Sequence, residues 1–80
     1  MRRDVLLFGP AARTVGRDRI TLEARGPTVR DALAEIAARH PELAPALGAA
    51  RLAVNHALAT PDTAIGPDDE VALIALLGGG

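Results

Sequence analysis

Seven apolar residues in a row, Val71-Ala72-Leu73-Ile74-Ala75-Leu76-Leu77, run straight into three glycines at positions 78–80. A run this short, with no polar residue to face water, fits a strand covered on both faces. Glu70 to Leu76 is therefore expected to form a central strand, and the other elements must arrange themselves around it. The run is far too short to span a membrane. Glycine has no Cβ, so Gly78-Gly79-Gly80 reads as a thin, mobile arm reaching about 10 Å past the strand and ending in a carboxylate. The expected division is a folded domain over 1–77 and a tail over 78–80.

Composition restricts how that domain holds together. Eighty residues make one domain near the small end of what folds alone. There is no cysteine, and Phe8 is the only aromatic residue. Disulfides, thiolate chemistry and cysteine-ligated metals are thereby excluded, and the core must be Leu, Val, Ile and Ala. The opening Met1-Arg2-Arg3-Asp4 precedes only four large apolar residues, so no signal peptide is read there and a cytoplasmic location is expected. A net charge of −1 gives no general attraction to nucleic acid or to a membrane. The charge is uneven, however. Residues 1–40 carry eight Arg against five acids, and residues 41–80 carry one Arg against five acids. All nine basic residues are Arg, so beyond the N-terminus the chain has no amine to attack an activated acyl group.

Along the chain, Arg3 to Phe8 reads as a first strand buried by its apolar end, and Gly9-Pro10 breaks it. Ala11 to Gly16 reads as a turn or a single helical turn. Arg17 to Glu23 alternates around Ile20 and Leu22, the pattern of a half-buried strand. Thr28 is a good helix N-cap, and Asp31 three residues on completes a capping box. Val29, Ala32, Leu33, Ile36 and Ala37 share one face of a helix that runs to about His40, where Pro41 stops it. Val29, Leu33 and Ile36 are expected to be buried against Leu22, Val54 and Leu73. Pro41 to Gly48 reads as a loop pinned by Leu43 and Leu47. Arg51 to Asn55 is a strand, Asn55-His56 a turn with Asn suited to positive φ, and Ala57 to Ala59 a brief strand. Ile65 should drop into the core before a turn at Pro67-Asp68-Asp69. One helix across one mixed sheet, with the last strand beside the first, is the α+β arrangement called the ubiquitin-like β-grasp.

Several short stretches at consistent spacing resemble a known family. They are Leu7-Phe8-Gly9-Pro10-Ala11-Ala12-Arg13, Thr28-Val29-Arg30-Asp31-Ala32-Leu33, Leu52-Ala53-Val54-Asn55, Asp69-Glu70-Val71-Ala72-Leu73-Ile74 and the terminal Gly79-Gly80. Together they are similar to the MoaD/ThiS family of sulfur-carrier proteins, above all its molybdopterin synthase small-subunit branch. There are departures. Arg13 falls one residue late, Asp68 stands where the family commonly has Gly, Ala75-Leu76 replaces a frequent Pro-Pro, and Gly78 is an extra glycine. Asp tolerates the left-handed conformation better than most residues, so the turn at Asp68 can survive without glycine.

The resemblance implies a chemistry. Gly80 would be adenylated by an E1-like (MoeB-like) enzyme using ATP and magnesium, then converted to a thiocarboxylate. A large catalytic (MoaE-like) subunit would take in the tail and transfer the sulfur to a pterin precursor. This chain would bind no cofactor and supply no catalytic side chain. Gly79 and Gly78 would pass through the partner channel, and Phe8, Leu58, Ile74 and Arg13 would face partners. Carriers for thiamin thiazole or another sulfur product, and ubiquitin-like protein modifiers, share the activation chemistry and stay open at this point. His40 and His56 have no second ligand at suitable spacing, so no metal site is expected.

Overall fold

The computed structural model describes residues 2–48 and 50–75. Strands β1 (Arg3–Leu7), β2 (Arg19–Leu22), β3 (Ala50–Val54), β4 (Ala57–Leu58) and β5 (Val71–Ala75) form one sheet in the order β2-β1-β5-β3-β4. The final strand lies at its centre, parallel to β1 and antiparallel to β3. This is the expected ubiquitin-like β-grasp: β1 and β2 form an antiparallel pair, and a helix, α2 (Val29–Arg39), packs on one face. Among the described residues no helix is long and apolar enough to cross a membrane.

The core is aliphatic. Val5 and Leu7 of β1, Ile20 and Leu22 of β2, Leu52 of β3 and Val71 and Leu73 of β5 meet Val29, Ala32 and Ile36 of α2. Leu43 and Ile65 close its ends. Leu33, expected in the centre of this contact, is only half-buried at its margin, as is Val54. The apolar stripe of α2 is rotated so that Ala32, rather than Leu33, faces the sheet beside Ile36.

The start of α2 forms as its sequence requires. Thr28 Oγ1 accepts from the Asp31 N–H at 3.3 Å, and Asp31 accepts from the Thr28 N–H at 3.1 Å. The next free donors go to the long connection before β5: Val29 N–H to the Thr63 carbonyl and Arg30 N–H to the Pro61 carbonyl, both at 2.9 Å. The helix end is thus fully occupied by the chain itself. Gly26 lies against Asp31 so closely that any Cβ there would overlap the carboxylate side chain and undo the cap.

Two local expectations need correction. Gly9-Pro10 does not simply break β1; it begins a helix, α1 (Gly9–Val15), because proline in the first turn removes an N–H that has no helical partner. Gly16, at φ 81°, caps the end of α1. Pro41 to Gly48 contains a 3₁₀ turn (Pro41–Leu43) and a helical turn, α3 (Ala44–Leu47), with Leu43 buried and Leu47 half-buried. Asp68 is not among the positive-φ residues, so its turn needs no left-handed residue in place of glycine.

Candidate functional site

Because side chains alternate along a strand, the face of β5 opposite α2 carries Ala72 and Ile74. The register sets their neighbours. Leu6 of β1 pairs with Ala72, Ala72 with Ala53 of β3, and Ala53 with Leu58 of β4. Two residues further along, Arg51 pairs with Ile74, and Phe8 follows Leu7, the partner of Leu73. The two alanines are small and buried, while Phe8 and Leu58 stand 54% exposed. Large side chains around a floor of small ones make a shallow groove of about 310 Å³, lined by Phe8, Ala53, Leu58, Ala72 and Ile74, with His56 and Glu70 at one end.

The two exposed large apolar residues of the described chain are thus brought to one place. Phe8, the last residue of the apolar end that buries β1, is turned outward as the residue before α1. The structure joins Phe8, Leu58 and Ile74 in a single patch. Arg13 is exposed on α1 and does not line this groove. Gly78, Gly79 and Gly80 lie outside the described residues. Sequence reasoning missed Ala53 and Ala72, whose signal is their alternation with the core residues Leu52 and Leu73. It considered His56 only as a metal ligand. Among the described residues, no group of three or more His, Asp or Glu side chains is arranged to hold a metal ion.

A hydrogen-bonded corner fixes the far end of the groove. Asn55 and His56 form the β3–β4 turn with φ of 52° and 71°, the left-handed pair that suits a two-residue hairpin. Asn55 Nδ2 donates to Asp69 at 2.9 Å, and the Glu70 N–H donates to Asn55 Oδ1 at 2.9 Å. The Gly66 N–H donates to the other Asp69 oxygen at 2.6 Å. Two stretches far apart in the chain, the one ending at Asn55 and the one opening at Asp69, are therefore one structural unit. It holds Glu70 with its carboxylate 3.6 Å from His56 Nε2.

These contacts shift acidities. The Asn55 side chain first, and then the Gly66 N–H, hold the Asp69 carboxyl below the usual aspartate range. The Thr28 hydroxyl, then its N–H, does the same to Asp31. A carboxyl with a depressed folded pKa adds stability that is fully present above its unfolded value of about 3.9 and is lost as pH falls through the folded value. The thermal midpoint is therefore expected to be insensitive to these groups from pH 7 to about 5 and to fall below about pH 4. Asp69→Asn should make that acid fall shallower. A midpoint profile that drops between pH 7 and 5 would contradict this assignment.

A second depression, of about 390 Å³, lies between α2 and the loop before it. Its charged walls are engaged with one another. Glu35 accepts from the Glu23 and Ala24 N–H groups, and Arg39 binds Glu35 at 3.2 Å and Glu23 at 3.3 Å. That network fastens the loop to the helix, with Ala24 held at φ 57°. It is the apolar groove on the open sheet face that has exposed, uncommitted surface.

Comparison with known proteins agrees with the fold. The sequence model of the ThiS family matches residues 5–80. Among solved structures, the chain is similar to SAMP1 from Haloferax volcanii, with a TM-score of 0.81, 25% identity and full coverage of both chains. It is also similar to a putative molybdopterin converting factor subunit 1 from Pyrococcus furiosus, with a TM-score of 0.76 and 23% identity over 91% of this chain and 94% of that one. A complex of subunits 1 and 2 of the molybdopterin-converting factor from Helicobacter pylori gives a TM-score of 0.68 at 22% identity over the whole of both chains. The last two likenesses speak to the fold. A comparison with curated protein sequences returned no match.

Proposed function

This chain belongs to the ThiS family, and from that premise we propose that it is a sulfur carrier, acting as the sulfur-donating small subunit of molybdopterin synthase. The observation that carries the reading is the groove of Phe8, Leu58 and Ile74. It lies on the face of the strand from which residues 76–80 continue. A partner seated on that groove covers Ile74, next to Ala75, the last described residue of the chain.

The chemistry follows from the terminal carboxyl. A free α-carboxylate has a pKa of about 3.5, is anionic at neutral pH, and is a poor acceptor for a nucleophile. In the proposed sequence a MoeB-like enzyme binds ATP and magnesium. A Gly80 carboxylate oxygen attacks the α-phosphorus of ATP and pyrophosphate leaves. A hydrosulfide ion then attacks the carbonyl carbon, the acyl–phosphate bond breaks, AMP leaves, and a thiocarboxylate results. A MoaE-like subunit receives the loaded terminus and passes its sulfur to the pterin precursor. Gly79 and Gly80 present no side chain to either partner's channel. The folded domain supplies the docking face, and the partners supply the catalytic groups.

A second reading is that of a ubiquitin-like modifier, in which the activated Gly80 carbonyl is captured by a lysine of another protein. The likeness to SAMP1, a small archaeal modifier protein, favours it. Both readings share adenylation and differ in the acceptor. Intact mass after incubation with the activating enzyme, ATP, magnesium and a sulfur source decides between them. The carrier gains the mass difference between sulfur and oxygen; the modifier yields chain-sized adducts on other proteins. Neither product would sink both.

The docking face has its own test. Leu58→Asp should weaken binding of the activating enzyme by about tenfold or more, equivalent to about 1.4 kcal/mol, and leave the thermal midpoint nearly unchanged. A large loss of stability would instead make Leu58 part of the structural core.

A further inference from the structure

The open sheet face is charged differently at its two ends. At the end where β5 begins, the acids have company. Asp4 lies 3.7 Å from Arg19 and accepts from the Thr21 hydroxyl at 3.0 Å. Asp69 is bound by Asn55, and Glu70 stands beside His56. At the other end, where β5 finishes, is Arg51. Leu52 is in the core, so alternation puts Arg51 on the open face, in the same cross-strand row as Ile74; it stands just outside the lining of the groove and also borders the hollow beside Leu33 and Pro61. Arg51 is exposed and has no acidic group within 4 Å among the described residues. Along β5 the two ends of the face, Glu70 and Ile74, are four residues or roughly 13 Å apart.

A partner that covers Phe8 and Ile74 and takes in the residues after Ala75 also covers Arg51. A guanidinium removed from water without a counter-charge costs several kcal/mol. The surface that seats here must therefore bring an acid to it. Resting on the carrier reading, we infer that Arg51 is a specificity-determining residue. It pairs with an Asp or Glu carboxylate at the mouth of the activating enzyme's cleft, the one that receives the chain's terminus for adenylation. With Glu70 at the opposite end of the groove, the two charges of opposite sign also set the direction of docking. Rotating the partner half a turn on the apolar patch would bring its carboxylate against Glu70, and the terminus would point away from the cleft.

The test is the rate of sulfur loading by the activating enzyme, followed by intact mass at several salt concentrations. Arg51→Ala should slow loading at sub-saturating chain by about tenfold, and Arg51→Glu by about a hundredfold. Both should flatten the salt dependence, because a steering charge acts mainly on association. Arg51→Lys should retain most of the rate. Arg25→Glu makes the same change in net charge on the α2 side and should load like the wild type. Thermal midpoints close to wild type establish that the variants fold. Equal loading of Arg51→Glu and wild type would overturn this inference alone, as would an equal fall in Arg25→Glu, which would reduce the effect to net charge. A wild-type chain that takes up no sulfur would overturn the carrier reading, and this inference with it.

Discussion

Deletion of Gly79 and Gly80 is expected to abolish adenylation and thiocarboxylate formation while leaving the domain folded. Among the described residues the core is assembled between Val5 and Leu73, and a glycine has no side chain to add to it. Thermal midpoint and circular dichroism should match the full chain, while intact mass should show no sulfur uptake. Gly80→Leu should fail in the same way for a different reason. Its carboxyl is present, but a branched side chain beside the carbonyl obstructs both the channel and the line of nucleophilic attack. Full sulfur loading of the deleted chain, whose new terminus is the Gly78 carboxyl, would show that reach to position 80 is not needed and would defeat the assignment of the sulfur to Gly80.

Ile36→Ala is expected to be the most damaging single change to the fold, costing about 3–5 kcal/mol. Ile36 is fully buried where α2 crosses the sheet. A domain of this size has about 4–12 kcal/mol of stability in total. The midpoint should therefore fall by roughly 12–40 °C. Leu33→Ala, at the half-buried margin, should cost less than half as much. If the two substitutions prove equal, the packing of α2 described here is incorrect.

The parts of the fold that were legible in the sequence share a property: the signal is local and strong. Thr28 and Asp31 mark a helix start with their own side chains, and Pro41 marks its end. The unbroken apolar run from Val71 can be covered only in the middle of a sheet. Asn55 announces a left-handed turn. What was not legible depends on contacts between distant segments. Gly9-Pro10 is equally compatible with a break and with a first helical turn. The outward turn of Phe8 follows from where α1 packs. Strands of two to five residues do not state which face is inward, so Phe8, Leu58 and Ile74 became one patch only once the pairing of β3 with β5 was known. Glu35 is written as an ordinary helix-surface acid, yet it reaches back to hold the loop at Glu23 and Ala24.

The central position of β5 also governs when the domain can exist. Val5 pairs with Val71, 66 positions later, and β3 finds its inner neighbour only in the same strand. During synthesis the emerging chain can make the β1–β2 hairpin and the α2 helix, but both remain without the strand that joins the two halves of the sheet. The docking groove, too, is incomplete until Ala72 and Ile74 are in place. Folding therefore waits for the last segment before the glycines, and pairing across so large a sequence separation is intrinsically slow. Chains cut short upstream of β5 would have neither a stable sheet nor a recognisable surface for an activating enzyme. Recognition by way of this face thus reads out the integrity of the chain through β5.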